Sequence, residues 1–270
     1  EGEEGEGEPF ALYDCSDRVF PDADIEDLAS SYDADAWRGA AFGVLDRRFP
    51  DGAHVATSIA EADFDRWFRN TGSWDGMLDD LNTGVHEAVH ILGFQNGGFG
   101  DYSFTLGADE EVVVPFLELF YRSEVFDHLP TVAQEGFYAT LYLRDIGNQG
   151  IETLLDEFNA YTYSLYVDIA IADQFSPMGA RSSRDGLVTF MLFTQVYLFL
   201  ARTEHPDDYD RLIETTELAE LVLNLFDRAW CVYRLSGDDP RLEIDASAIL
   251  THVLDERWLS EVDRLRAAVR

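Results

Sequence analysis

His86-Glu87-Ala88-Val89-His90, read on into Ile91-Leu92-Gly93-Phe94, restricts the fold of this 270-residue chain more than any other segment. Leu78, Leu81, Val85, Val89 and Leu92 recur every three or four residues, so the stretch predicts an amphipathic helix over 75–92. On such a helix positions i and i+4 share a face, and His86 and His90 can reach one metal ion. Glu87, one residue on, can lie beside a metal-activated water and take its proton. Zinc suits nitrogen and oxygen ligands, and a catalytic zinc keeps one position free for water. Ser73 or Asp75 is placed to cap the start of the helix. Gly93 is placed to end it, because glycine accepts the left-handed conformation found after many helices.

Charge sets a second bound. The chain carries 53 acidic and 19 basic residues, a net charge of -34, and every basic residue is arginine. Nucleic-acid binding needs a basic footprint, which this composition excludes. Docking on an anionic membrane surface is disfavoured for the same reason. A chain rich in Asp and Glu and free of Lys resembles proteins of extreme halophiles. Such a chain repels itself at low salt, whereas at 1 M salt the Debye length is about 3 Å and the repulsion is screened. The charge serves solubility and says little about substrate.

Cys15 and Cys231 leave two readings open, one disulfide in an oxidising compartment or two buried thiols. Residues 1–9, Glu-Gly-Glu-Glu-Gly-Glu-Gly-Glu-Pro, are too polar to fold and read as a disordered acidic tail or a stub left by processing. That is compatible with secretion after removal of a signal peptide, and equally with a high-salt cytoplasm. The apolar run from Leu187 to Ala201 is short for a bilayer span and contains Gln195, so it reads as a buried helix and no integral membrane segment is expected.

Periodicity and turn residues outline the rest. Strands are expected near 10–13 and 54–59, with Pro50-Asp51-Gly52 as the turn before the second. Helices are expected over 34–48, 60–68, 112–126, 131–143, 151–172, 184–203, 209–234 and 246–269. The glycine-rich stretch 95–107 reads as a loop forming one wall of a cleft. No repeat or Gly/Ser linker divides the chain, so a single domain over 10–270 is expected, mainly α, with a few short strands near the N-terminal side.

An H-E-x-x-H helix is the signature of the zincin metallopeptidases, and 86–90 is similar to it. The resemblance implies a zincin-like helical domain, a Zn2+ ion and a peptide or protein substrate. In the gluzincin branch the third ligand is a glutamate on a later helix. Glu157, in Asp156-Glu157-Phe158-Asn159-Ala160-Tyr161, stands in such a setting, and the small Ala160 would let the two helices approach. The metzincin branch extends the motif to a third ligand where this chain has Asn96, a poor zinc ligand. The segment 86–94 also looks like that of the leishmanolysin-like peptidases, and Ser176-Pro177-Met178-Gly179 resembles their methionine turn. No histidine lies between His128 and His205, so Glu157 or Asp173 would have to replace that family's late ligand. A di-iron bundle would use Glu87 and His90, but it needs a second Glu-x-x-His that the chain lacks.

The resemblance implies His86, His90 and Glu157 as metal ligands and Glu87 as the general base that passes its proton to the leaving amine. Tyr161, Tyr102 or His128 would then donate to the oxyanion. The alternative is a non-catalytic zincin-like metal-binding or structural protein, whose site a fourth side chain closes.

Overall fold

A computed structural model describes residues 13–175 and 180–269. The expected tail at 1–9, residues 10–12 of the expected first strand, and the 176–179 turn lie outside the described residues. Tyr13 belongs to no regular element.

The described chain is mainly helical. Helices α1 (Glu26–Ser30), α2 (Trp37–Arg48), α3 (Pro50–Ser58) and α4 (Glu61–Asp65) precede the long α5 (Trp74–Gly97). A hairpin follows, β1 (Asp101–Gly107) and β2 (Glu110–Pro115), paired antiparallel with Phe104 opposite Val112. After a 3-10 segment at Arg122–His128, α6 (Thr131–Gln134) and a π-helical segment at Ala139–Asp145 come α7 (Ile151–Ala170) and α8 (Ser183–Glu204). The chain closes with α9 (Pro206–Glu214), α10 (Thr216–Leu235), α11 (Ala246–Val253) and α12 (Glu256–Ala268).

Several expectations need correction. Residues 54–59 are no strand: 54–58 end α3, whose first residue is Pro50. Proline suits the first helical position, since the N–H it lacks would be unpaired there anyway. Pro50-Asp51-Gly52 therefore starts a helix, and Ala53, Val55 and Ala56 bury one face of it. The stretch 95–107 is no loop, because it holds the end of α5 and all of β1. Val112-Val113-Val114 belongs to β2, where β-branched side chains fit the pleat, and the expected helix at 112–126 dissolves into this strand and a 3-10 turn. The strands thus follow the motif helix instead of lying near the N-terminal side. The expected helices at 131–143, 209–234 and 246–269 are each broken in two. Asp255 caps the second half of the last by accepting from the Arg257 N–H.

α5, α7 and α8 form the centre of the molecule. Every residue of α8 from Ser183 to Leu198 is buried. By length and composition this helix would also suit a bilayer, but 83% of its apolar window is buried inside the protein. Cys15 and Cys231 form a disulfide, which ties the N-terminal segment to α10.

Candidate metal centre

Ser73 caps α5 by accepting a hydrogen bond from the Gly76 N–H at 3.1 Å. The helix runs past Gly93 and stops only at Gly98, whose φ is +72°. Gly93 has another purpose. A Cβ there would sit 2.7 Å from the Ser103 carbonyl oxygen, and one at Gly97 would sit 3.1 Å from the Ser103 nitrogen. The two glycines, one turn apart, give β1 a flat bed on the helix. The hairpin is held against the same turn of α5 that follows His90.

α7 packs along α5 and brings Glu157 to the two histidines. The His86 and His90 Nε2 atoms are 3.2 Å apart, and Glu157 Oε2 lies 3.7 Å from the first and 3.5 Å from the second. These are the only three described residues that group in this way. Four ligand atoms set tetrahedrally at about 2.0–2.1 Å from a zinc ion lie about 3.4 Å from one another. The three observed edges match that spacing. Glu157 Oε2 is buried and has no hydrogen-bond partner, an orphan pointing at both imidazoles. The residues fit a divalent ion.

Each imidazole is fixed through its other nitrogen. His90 Nδ1 lies 2.7 Å from Asp156 Oδ2, and His86 Nδ1 lies 3.0 Å from Ser164 Oγ. A carboxylate at Nδ1 holds the proton there and turns the Nε2 lone pair towards the centre. Ser164 is anchored in turn, because Asn82 Nδ2 donates to its carbonyl at 2.8 Å and to Ser183 Oγ at 3.0 Å. Burial disfavours the charged form of His90, yet Asp156 and Glu157 raise its pKa well above the ordinary 6.5. Burial likewise works against the Glu157 carboxylate, but the two histidines hold its pKa at about 2. A concentrated negative charge therefore faces two imidazoles, and a cation placed among them satisfies all three.

Glu87 is half-buried on the same helix. Tyr161, one turn beyond Glu157, sets its ring edge-on to His86 with centroids 4.7 Å apart. Its hydroxyl lies 3.3 Å from that of Tyr142 on the π-helical segment. Burial pushes both phenols up, so both stay protonated donors. Under Tyr142 sits the buried Arg122 guanidinium, 5.9 Å from the ring centroid, with Nε and Nη1 unpartnered.

Other sequence candidates are placed elsewhere. Asp173 is bound by both terminal nitrogens of Arg48, at 2.5 and 3.0 Å. Asn96 donates to Glu111 on the hairpin. His128 Nε2 lies 3.7 Å from Glu204 and takes no part in the cluster. Tyr102 is on β1, within the field of Asp156. Sequence reasoning missed Asp156, Ser164, Tyr142 and Arg122. A signal existed for Ser164, which follows Glu157 by two helical turns and so shares its face. None existed for Tyr142 or Arg122, which arrive through tertiary packing.

The fold and the cluster define a helical protein with a His-His-Glu group able to hold a metal ion. No protein-family model, curated protein or solved structure matches the chain.

Proposed function

We propose that this protein is a zinc-dependent hydrolase, a metallopeptidase of the zincin type that cleaves peptide bonds. The observation that carries the reading is the triangle of 3.2, 3.5 and 3.7 Å between two imidazole nitrogens and a buried, unpartnered carboxylate oxygen. His86, His90 and Glu157 would hold the ion. Zinc, when bound, acidifies a water and polarises a carbonyl.

The chain's own groups supply the rest. Glu87 accepts the proton of the attacking water and returns it to the leaving amine. Tyr161, protonated and beside His86, is placed to donate to the oxygen that gains charge, with Tyr142 holding its hydroxyl. Asp156 and Ser164 keep the imidazoles aimed.

The test is metal content and proteolysis on the same preparation. Protein purified in high salt and supplied with zinc should bind one equivalent and cleave an unfolded protein substrate. Glu87→Gln should keep the metal and lose at least about a hundredfold in turnover, the scale of general-base catalysis. Turnover unchanged in Glu87→Gln would remove the base from the reading. Zinc bound without any hydrolysis by the wild type would leave a non-catalytic metal protein.

A further inference from the structure

Among all residues of α7, only Thr153, Asp156, Glu157 and Tyr161 are not fully buried. Asp156 and Glu157 are adjacent and stand three and four residues after Thr153, and Tyr161 follows Glu157 by four, so the four form one strip along one face of the helix. Glu157 is in the middle of the strip. At its N-terminal end, Thr153 lines a depression of about 500 Å³. Thr153 and Glu157 are one turn apart, about 6 Å along the axis.

The walls of the depression are Tyr102, Phe116, Leu119 and Tyr121, and the polar lining includes Glu118 but no basic residue. Phe116 and Tyr121 are 45% and 56% exposed, so their rings are open to a ligand in the depression. Beneath Gly150, which also lines the depression, lies the buried carboxylate of Glu152. A Cβ at position 150 would come within 2.6 Å of Glu152 Oε2. Glu152 Oε1 accepts from the Leu117 N–H at 2.8 Å, while Oε2 has no partner. The cation acting on this group, Arg211, already donates to the Leu117 carbonyl and pairs with Asp208. A buried carboxylate oxygen without a partner calls for a donor or a positive charge.

Glu118 adds a third observation. Its φ is +48°, and among the described residues it alone shows a positive φ without being glycine. Its neighbours are held on both sides. Leu117 is tied through both its N–H and its carbonyl. The Phe120 N–H donates to Asp208 at 3.0 Å, and the Phe120 carbonyl accepts from Tyr197 at 2.8 Å. A strained backbone persists where its surroundings force it, and such residues gather at binding sites. Here the strain holds a carboxylate at the rim of an aromatic pocket.

We propose that this depression takes the side chain of a basic residue, arginine or lysine, of the peptide cut at the metal centre; the inference rests on the peptidase reading above. The aromatic walls cover the alkyl stem and face the cation. Glu118 pairs with the charge, and the unpartnered Glu152 oxygen beneath Gly150 is an acceptor under the floor, although burial pushes that carboxyl's pKa up. With about 3.3–3.6 Å of extended peptide per residue, a residue one or two places from the cut bond reaches the pocket.

A net charge of -34 attracts any cationic peptide at low salt. The experiment is therefore run above about 1 M salt, where exposed charges separated by more than about 3 Å are screened. Quenched fluorogenic peptides carry Arg, Lys, Leu or Glu at each place around one cleavable bond. The wild type should prefer Arg or Lys over Leu at one place by about tenfold in kcat/KM, and Glu118→Gln should erase most of that ratio. A preference for Leu at every place, or an Arg preference that survives Glu118→Gln, overturns the proposal. If no peptide is cut, the peptidase reading fails, and the pocket is judged by binding alone. Fluorescent Arg and Leu peptides are titrated into wild type and Glu118→Gln at the same salt. Tighter binding of the Arg peptide that depends on Glu118 supports the pocket, and equal binding overturns it.

Discussion

α7 and α8 are neighbouring helices at the centre of the molecule, and they differ in what their polar groups face. From Ser183 to Leu198, α8 is buried on all sides. Several of its polar side chains turn to backbone: Thr194 to the Phe190 carbonyl, Gln195 Nε2 to the Val253 carbonyl, Arg184 to the carbonyls of Ser236 and Gly237, while Thr189 Oγ1 and Gln195 Oε1 have no partner among the described residues. Those bonds satisfy groups that would be costly to bury alone, and they close the helix off. α7 is as deep, but the strip of Thr153, Asp156, Glu157 and Tyr161 stays partly exposed. Its polar groups face the histidines of α5 and leave a carboxylate oxygen unpaired. What sets α7 apart is that its unpaired Glu157 oxygen stands within 3.7 Å of two imidazole nitrogens, whereas neither Thr189 nor Gln195 of α8 belongs to a group of ligating side chains among the described residues.

The largest effect should come from breaking the open strip at its centre. Glu157→Ala removes one of the three proposed ligand atoms, and zinc affinity should fall by more than about a hundredfold, beyond the loss expected from an outer hydrogen-bonding partner. Competition with a chromogenic chelator measures it. Unchanged zinc binding would move the third ligand to another acid. The matching break in α8 is Leu192→Ala. Leu192 is fully buried, so this change should cost about 2–5 kcal/mol by denaturant unfolding. Zinc stoichiometry should not change, since none of the three proposed ligands lies on α8. A variant of α8 that also lost metal would mean the two helices are not separate in function.

The same contrast explains how much the sequence could reveal. The i, i+4 spacing names His86 and His90 because a helix alone brings them together. Glu157 is named by resemblance and by the small Ala160 on the same helix. The apolar run of α8 is read as a buried helix from composition. Gly93 is misread because a terminator and a bed for a crossing strand look alike until the strand is located. Residues 54–58 are misread because a short Ala/Val run fits either period, and the Pro50 that precedes it suits a turn and a helix start equally. Asp156 is adjacent to Glu157 in sequence, but nothing local tells which of the two acids faces Nε2 and which faces Nδ1. The Arg122–Tyr142–Tyr161 set joins a 3-10 turn, a π-helical segment and α7, and no local pattern links them.

A smaller effect follows from that division of labour between Asp156 and Glu157. Asp156→Asn keeps a group near His90 Nδ1 but removes the negative charge that fixes its proton. Zinc affinity should drop by about 10–100-fold, less than in Glu157→Ala. Ser164→Ala, which removes a neutral partner of His86, should cost no more than that. Equal losses in Asp156→Asn and Glu157→Ala would mean that both carboxylates ligate, and the contrast between direct ligand and aiming partner would be lost.

The mildest test lies where α7 meets α8. Asp168 on α7 is fully buried and accepts from Ser183 Oγ at 2.6 Å. Burial raises its pKa from 3.8 to about 6, against the opposing pull of Arg181 and Ser183. The folded protein therefore holds this proton more tightly than the unfolded chain. Its contribution to stability is full below about pH 4 and is lost as pH rises through 6, by up to about 1.4 kcal/mol per pH unit. Asp168→Asn should flatten that part of the stability–pH curve when unfolding is followed in urea at fixed salt. A curve unchanged by the substitution would mean that Asp168 titrates as it does in the unfolded chain. The closed end of α7 would then be no more demanding than its open strip.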